Sequence, residues 1–159
     1  MVKHLRKQFS WVNQLLSIGV QGTKGYNSDI TRVFCIGEPS DEVKEVYNVV
    51  YTAQKKARES IKAGMTGKEG DAIARDYIAQ CGYGEYFGHT LGHGLGLEVH
   101  ESPSLSYRYE KPLEVGQVVT VEPGIYLEGK FGIRIEDDVV IRESGCDLIT
   151  SLPRELFIV

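Results

Sequence analysis

The sequence changes its pattern at Gly82, and this change limits the possible folds more than any other feature. Before Gly82, apolar residues recur at three- and four-residue steps, as they do on one face of an α-helix. After Gly82, glycine is frequent and apolar residues alternate or form short blocks, which is typical of strands. Helices followed by strands predict an α+β fold with an antiparallel sheet.

Two helices are predicted in the middle of the chain. The first begins at an N-cap, Ser40, and ends near Gly64. Thr66 and Glu69 form a capping box of the T-x-x-E type, which begins the second helix. Gly82 ends it, since glycine readily adopts the left-handed conformation that follows many helices.

Three later stretches predict strands. GQVVTVEPG (116–124) predicts a buried strand that a Pro-Gly pair closes. FGIRIEDDVVI (131–141) alternates with period two, which places Arg134, Glu136 and Asp138 on one face. CDLITSLPRELFIV (146–159) predicts one or two closing strands.

Composition excludes several classes of protein. The 159 residues are 42% hydrophobic and 25% charged, which suits one globular domain with a sizeable core. The net charge of -4 gives no reason to expect a nucleic-acid partner. No apolar run approaches membrane-spanning length, so no membrane partner is expected. Cys35, Cys81 and Cys146 form no CxxC pair and are expected to be free thiols in a reducing, cytoplasmic compartment.

The first 28 residues contain no Asp or Glu and carry several basic residues. Residues 3–18 also place apolar side chains at helical spacing. Such a segment is typical of an organelle transit peptide or of a short surface helix. We favour the surface helix, because serines are few and no cleavage-like site stands out. Residues 1–24 are therefore treated as a divergent basic segment that precedes the main domain, 25–159.

Three of the four histidines lie in HTLGHGLGLEVHE, residues 89–101. His89 and His93 are spaced as in the zinc-binding helix pattern HExxH, but Thr90 follows His89 and three glycines oppose a helix. A glycine-bearing strand or bend fits better, because glycine lets the backbone approach a bound group closely. Any one histidine would ordinarily be a core or surface residue. Three together, followed by Glu101, favour a metal site with a proton-transfer residue beside it.

Three carboxylates extend this set. Glu122 lies in an apolar strand segment, where an unpaired carboxylate is costly to bury, so it needs a metal or a strong partner. Asp29 alone is typical of a turn or cap. Glu136 near Arg134 is typical of a solvated strand face with a surface ion pair. Taken with His93, however, the three acids suit manganese, cobalt, iron or zinc better than copper, and a paired site of this kind activates water for hydrolysis.

Four ordered motifs, GYNSDITR, GHGLGLEVHE, TVEPGIY and GIRIEDDVVI, resemble the pita-bread metallopeptidases. This family includes proline dipeptidase, Xaa-Pro aminopeptidase and methionine aminopeptidase, and TVEPGIY followed by GIRIEDDVV resembles the proline-directed branch. The resemblance runs from about Gly25 to the C-terminus. It implies an incomplete pita-bread catalytic domain, its C-terminal portion, with two central helices and a curved antiparallel sheet.

The resemblance also implies a five-ligand centre for two divalent metal ions. Asp29 and Glu136 resemble the two bridging ligands, and His93 and Glu122 resemble the remaining ligands of one metal. Manganese or cobalt is expected first, with zinc or iron as alternatives.

Catalytic roles are implied in the same way. Glu122 resembles the acceptor of a proton from the attacking water. His89 and His100 resemble the histidines that hold the substrate and the tetrahedral intermediate. Arg134 resembles the strand residue that steadies the site.

One ligand of the family is missing. The family has a further Asp 11 residues before the position of Asp29, where this chain has Ile18, and no acid in 1–28 replaces it. We therefore expect at most one well-held ion and weak or no peptidase activity. We also expect a homo-oligomer, because an apolar face that the family's first half normally covers would be exposed.

The leading hypothesis is metal-dependent hydrolysis of Xaa-Pro peptide bonds, with a substrate that carries proline at its second position. One alternative is a catalytically inactive pita-bread module that binds a peptide or protein partner. Another is a metal-free enzyme of the creatinase kind, which the four intact ligands argue against.

Overall fold

The computed structural model describes residues 14–159, which form an α+β fold, as predicted. The two predicted helices are present as α1 (Asp41–Ser60) and α2 (Gly67–Gln80), and a 3-10 turn follows at Gly84–Tyr86. The Ser40 side chain accepts a hydrogen bond from the amide of Val43 at the start of α1. Thr66 and Glu69 form the predicted capping box of α2.

Ten strands complete the described chain. They are β1 (Gln14–Thr23), β2 (Tyr26–Cys35), β3 (Gly92–Gly94), β4 (Glu101–Leu105), β5 (Val118–Val121), β6 (Gly124–Leu127), β7 (Phe131–Arg134), β8 (Asp137–Ile141), β9 (Cys146–Leu148) and β10 (Phe157–Ile158). They form one sheet in the order β4-β3-β5-β8-β9, a second in the order β1-β2-β10, and a β6-β7 hairpin. All pairings are antiparallel except that of β10 with β2.

The segment 131–141 differs from the single alternating strand that its sequence predicts. It is divided into β7, which pairs with β6, and β8, which pairs with β5. Glu136 lies between them and forms an isolated bridge with Thr31 of β2. Both β7 and β8 have one buried face, so apolar and polar residues alternate across the point where β7 ends and β8 begins. The sequence pattern alone therefore does not reveal that the chain passes from one sheet to another.

The predicted surface helix over 3–18 is wrong for residues 14–18, which belong to β1. Residues 1–13 lie outside the described residues, and so does most of the segment considered as a transit peptide. In the β1-β2 ladder, Ile18 lies opposite Thr31. The spacing of apolar residues predicted a helix here, but the backbone of this segment forms its hydrogen bonds with a neighbouring strand. A local sequence pattern does not show which strands pair.

Helix α1 packs its apolar face against the sheets. Val46, Val50 and Ala57 are fully buried there, together with strand residues such as Val119 and Ile133. This continuous apolar cluster fixes the strands that carry the predicted site residues. Burial of such side chains stabilises the fold by about 1.5–3 kcal/mol each.

A buried ion pair joins β2 to β8 and to the C-terminal segment. Arg32 Nη2 lies 2.7 Å from Asp137 Oδ1. The other Asp137 oxygen, Oδ2, accepts hydrogen bonds from Gln54 and Arg154. Arg32 also donates to the backbone oxygens of residues 152 and 153, at 2.8 and 2.7 Å. Because every one of these groups is at least partly buried, this cluster holds the end of the chain firmly against the sheets.

Two further expectations concern cysteines and membranes. Cys35, Cys81 and Cys146 are free thiols, as predicted. Among residues 14–159, neither helix combines the length and the apolar character that crossing a membrane requires.

Candidate metal centre

Four structural elements position the predicted metal ligands. Asp29 lies inside β2 rather than at a turn, and His93 is the central residue of β3. Glu122 directly follows β5, and Glu136 directly precedes β8. Strands β3 and β8 both pair with β5, and the bridge between Thr31 and Glu136 brings β2 to the same place. Strand pairing thus gathers residues that are far apart in the sequence.

The ligand atoms converge. One atom from each of Asp29, His93 and Glu136 lies within 4.8 Å of the other two. Glu122 adjoins this group, since its Oε1 is 3.1 Å from His93 Nε2. Glu136 is only 1% exposed, which excludes the solvated strand face that its sequence position alone suggested. Their roles as metal ligands remain predictions.

His93 has one nitrogen free for the acidic cluster. Its Nδ1 lies 3.0 Å from the backbone oxygen of Gly94, to which it can only donate. Its Nε2 therefore faces the carboxylates, as the nitrogen of a metal-binding imidazole would.

Three neighbouring side chains support the predicted ligands, and two of them, Thr31 and Thr120, orient carboxylates and were missed by sequence analysis. Thr31 donates to Glu136 Oε2, and Thr120 donates to Glu122 Oε1 at 3.0 Å. A third group, Asp138, accepts a hydrogen bond from the amide of Asp29 at 3.1 Å. Each of the three lies two residues from a predicted ligand, so the period-two rule for strand faces was a signal that could have found them.

Burial and mutual repulsion disfavour the ionised acids. Burial raises the pKa of Asp29, and the negative charge of Glu122 adds to the effect. Burial likewise raises the pKa of Glu136 well above its ordinary value, with Glu122 and Asp29 as further causes. For Asp138, burial raises the pKa to about 6. Burial thus works against ionisation at all three carboxyls, and a bound cation near Asp29 and Glu136 would favour their ionised forms.

Glu122 behaves differently from the other acids. Burial by itself raises its pKa, but the hydrogen bond and charge of His93, together with the charge of Arg134, outweigh burial and lower it. For His93, burial lowers the pKa, but the hydrogen bond and charge of Glu122 raise it, and the net effect is a raised pKa. Without a metal, the two therefore form an ion pair in which Glu122 is the carboxylate that stays ionised.

A divalent metal fits this donor set. Asp29 Oδ1 is buried and has no hydrogen-bond partner among the described residues. A buried carboxylate oxygen without a partner is costly, and a cation would satisfy it. One imidazole with several carboxylates is also the ligand chemistry that manganese, cobalt, iron and zinc accept.

The two predicted catalytic histidines have different neighbours. The ring of His100 lies 4.1 Å from that of His93, centroid to centroid. His89 contacts the backbone oxygen of Thr90 through Nδ1 at 2.8 Å and the Tyr126 hydroxyl through Nε2 at 2.9 Å. Burial lowers the pKa of His89, so it is a neutral imidazole at neutral pH.

Arg134 lies near Glu122 and near the tyrosine that contacts His89. Its Nε is 3.9 Å from Glu122 Oε2 and donates to Thr31 Oγ1 at 3.1 Å. Its Nη1 donates to the Tyr126 hydroxyl at 3.4 Å. Tyr126, which sequence analysis did not single out, therefore joins Arg134 to His89.

Glycines allow the histidine segment to lie between two strands. A Cβ atom at Gly92 would lie 2.0 Å from the backbone oxygen of Thr120, and one at Gly94 would lie 2.6 Å from that of Glu101. Neither distance is possible without moving a strand. The segment is a strand followed by a bend, as the glycines predicted, and not a zinc-binding helix.

Comparisons with known proteins identify relatives of this chain. The model of metallopeptidase family M24 matches residues 13–143. The chain is 61% identical over 135 residues to the "Uncharacterized peptidase YqhT" of Bacillus subtilis, a match that covers 85% of this chain and 38% of that protein. It is 54% identical over 131 residues to the Xaa-Pro dipeptidase of Pyrococcus horikoshii, covering 82% of this chain and 37% of the relative.

Solved structures give the same result for the fold. The X-Pro aminopeptidase from Thermotoga maritima superposes with a TM-score of 0.90 at 57% identity, over 92% of this chain and 41% of that one. Prolidase from Pyrococcus furiosus superposes with a TM-score of 0.87 at 47% identity, over 89% and 42%. The chain has the pita-bread fold of these proteins, as predicted, and spans less than half of their length.

Proposed function

The chain belongs to metallopeptidase family M24, and from this premise we propose that it acts in metal-dependent hydrolysis of Xaa-Pro peptide bonds. The observation that carries the proposal is the convergence of Asp29, His93 and Glu136 within 4.8 Å. The proline-directed branch is supported by the relative named Xaa-Pro dipeptidase, at 54% identity. The substrate is a short peptide with proline at its second position.

Asp29, His93, Glu122 and Glu136 would hold a divalent metal, with manganese or cobalt expected before zinc or iron. When bound, the metal would supply Lewis-acid polarisation of the scissile carbonyl and make a nearby water more acidic. The repulsion among the buried carboxylates and the unpartnered oxygen of Asp29 support this assignment.

Glu122 is the group that takes the proton from the attacking water. Its lowered pKa keeps it ionised, which a proton acceptor requires. Thr120 donates to its Oε1 and fixes the orientation of the carboxylate. The other oxygen, Oε2, has no hydrogen bond as close as that of Oε1, since its neighbour Arg134 Nε is 3.9 Å away. Oε2 is therefore better placed than Oε1 to accept a proton.

His89 and His100 hold the substrate and the tetrahedral intermediate, and Arg134 steadies the site. Polar hydrogens aimed at the developing oxyanion are worth most where water is excluded, and His89 and Arg134 are half-buried whereas His100 is exposed. His89 and Arg134 both contact the Tyr126 hydroxyl. We assign Tyr126 the role of fixing their relative positions and of presenting a hydroxyl beside the substrate.

The chain holds one ion well rather than two. Ile18 occupies the position of the family's remaining ligand, and its backbone lies opposite Thr31, which donates to Glu136. Mass spectrometry of metal content after dialysis against manganese would give one ion per chain, and Ile18→Asp would raise the value towards two. Two tightly held ions in the unsubstituted chain would contradict this proposal.

A peptide assay tests the proposed function. With manganese present, we expect the chain to release proline from Ala-Pro and to leave Met-Ala-Ser uncleaved, even if turnover is slow. Glu122→Gln would abolish release, whereas Glu143→Gln, at an exposed position, would not. Cleavage of Met-Ala-Ser would indicate the methionine-directed branch. Metal binding without cleavage of either peptide would favour the inactive binding module.

Self-association and a cytoplasmic location are further proposals. Several large apolar side chains are exposed, including Leu152 at 54% and Val159 at 70%, and such side chains favour association when they are contiguous. The three free thiols suit a reducing compartment. Light scattering tests the first proposal, and a monodisperse monomer would contradict it.

A further inference from the structure

The segment 87–91 lies next to the candidate centre, but no helix or strand of its own fixes its position. It carries His89 and leads into β3, where His93 lies, yet its own residues belong to no helix or strand. Buried backbone groups outside regular structure have to find their hydrogen bonds elsewhere. Here three of them, the oxygens of Phe87 and His89 and the amide of Leu91, find them on α2.

Two side chains of α2 bind this segment. Arg75 forms a forked ion pair with Asp71, with Nε–Oδ2 and Nη2–Oδ1 distances of 2.6 and 2.9 Å. The same guanidinium donates to the backbone oxygens of Phe87 at 3.1 Å and of His89 at 2.7 Å. Asp71 Oδ1 accepts the hydrogen bond of the Leu91 amide at 2.9 Å. The pair therefore holds the segment at its beginning, middle and end.

Two paths connect this pair to the candidate centre. Along the backbone, the oxygen of Leu91 accepts a hydrogen bond from the amide of Glu122 at 2.8 Å. Through side chains, Arg75 lies 4.3 Å from the centre of the Phe87 ring, and that ring meets the His89 imidazole edge-on at 5.1 Å. Both paths end at a residue to which we assign a role in hydrolysis.

The burial of the pair is unusual for its spacing. Ion pairs four residues apart on a helix are ordinarily exposed and contribute only about 0.2–0.5 kcal/mol. The Asp71 side chain is 1% exposed and that of Arg75 is 25% exposed. Desolvating a carboxylate to this degree is costly, and the pair recovers that cost through hydrogen bonds to a second segment. The arrangement is thus built around the segment 87–91 and not around the helix.

We propose that Asp71 and Arg75 are positioning residues, which set the placement of His89 and Glu122 through the segment 87–91. Neither side chain takes part in the cluster of predicted ligands. Their kinetic effect rests on the proposed hydrolase function, but their effect on the segment does not.

Amide hydrogen exchange followed by NMR tests the placement without any substrate. Arg75→Lys keeps the positive charge but cannot form the two parallel hydrogen bonds to Asp71. Asp71→Asn keeps the shape of the side chain but removes its negative charge. In both variants we expect the Leu91 amide to exchange about tenfold faster, because a hydrogen bond to a charged group is lost or weakened. The Val50 amide in α1 should change less than about twofold. Equal acceleration at both amides would overturn the proposal, because it would indicate only a general loss of stability.

A matched control comes from the exposed pair of Lys55 and Glu59, which has the same four-residue spacing and an N–O distance of 4.0 Å. Lys55→Gln is expected to leave exchange of the Leu91 amide unchanged. Faster exchange at Leu91 in this variant would mean that any helical ion pair affects the segment, and would overturn the assignment.

A double-mutant cycle tests the kinetic consequence in a chain that cleaves Ala-Pro. We expect Arg75→Lys to lower kcat about tenfold with little change in KM, and to have a smaller effect when His89→Ala is already present, because only the path to Glu122 then remains. Fully additive losses would overturn action through His89. If the unsubstituted chain cleaves no peptide, the proposed function fails, and the exchange experiment still decides whether the pair positions the segment.

Discussion

Arg32 and Asp137 form an ion pair of 2.7 Å that is almost completely withdrawn from solvent. Arg32 also donates to the backbone oxygen of Glu136 at 2.6 Å, so the pair fixes the backbone of a predicted ligand. Because Arg154 and Gln54 reach the same carboxylate, the C-terminal segment and α1 support one wall of the candidate centre.

Asp137→Ala is expected to lower the free energy of unfolding by about 3–5 kcal/mol, because it leaves the buried guanidinium of Arg32 without its partner. Urea denaturation at neutral pH measures the change. The control is Asp147→Ala, which removes an exposed pair with Arg142 of 2.6 Å and should cost less than about 1 kcal/mol. Similar losses in the two variants would contradict the importance we give to the buried pair.

Removal of metal should destabilise the unsubstituted chain and leave the stability of Glu136→Gln unchanged. A manganese concentration of about 100 times the Kd should stabilise the unsubstituted chain by about 2.7 kcal/mol, and chelation should reverse this. Glu136→Gln should abolish the manganese effect and yet melt at a higher temperature than the unsubstituted chain when both are metal-free, because it removes a carboxyl whose ionised form is disfavoured there by burial and by the charges of Glu122 and Asp29.

Thermal melting with manganese and with a chelator measures both effects. Glu143→Gln, at an exposed position, serves as the control and should retain the full response to manganese. An undiminished response in Glu136→Gln would contradict the ligand assignment.

The buried His89 should make stability depend on pH below neutrality. Burial lowers its pKa below the ordinary value of 6.5, so the unfolded chain binds a proton more readily than the folded chain in that range. Its contribution to stability is complete above pH 6.5 and decreases as the pH falls from 6.5 towards the lowered pKa. Asp29 and Glu136, whose pKa values are raised, act in the opposite direction, so a variant has to be subtracted.

Urea denaturation of the unsubstituted chain and of His89→Gln between pH 5 and 8 isolates this contribution. The difference in stability between the two proteins should shrink as the pH falls below 6.5, the ordinary pKa of histidine. A constant difference across the range would show that His89 is not held in its neutral form.

Gly92→Ala should destabilise the protein by about 1–3 kcal/mol, because the added carbon would meet the backbone oxygen of Thr120 and push β3 away from β5. Manganese binding should weaken with it, since β3 carries His93. Chemical denaturation and a manganese titration measure the two changes. Gly88→Ala is the control, because a Cβ there meets nothing within 4 Å, and it should change stability by less than about 1 kcal/mol.

Local signals in the sequence were sufficient for the helices and for the fold class. Ser40 and Thr66 cap their helices because capping depends on residues three positions away, which a sequence displays directly. The break between β7 and β8 and the strand at 14–18 depend instead on which strands become neighbours. No local pattern records that choice.

The candidate site likewise contains residues that a local motif reveals and residues whose role depends on contacts between strands. Asp29, His93, Glu122 and Glu136 were selected through ordered motifs. Thr31 and Tyr126 belong to those motifs and were passed over, and Asp138 was only placed on the same strand face as Glu136. Their contributions arise from contacts across strands, such as the bond from the Asp29 amide to Asp138. The Arg75 fork was missed for the same reason, because its partners lie on a segment without regular structure.

Thr31 and Glu136, which share a buried hydrogen bond, are separated by 105 positions along the chain. During synthesis on a ribosome, the first strand that contributes to the centre is therefore complete long before the last acid leaves the exit tunnel. Domains fold as units while chains emerge at about 5–20 residues per second, so Asp29 spends several seconds without the neighbours that surround it in the finished molecule. A cation can meet its full set of donors only after Glu136 has emerged and joined Asp29 and His93.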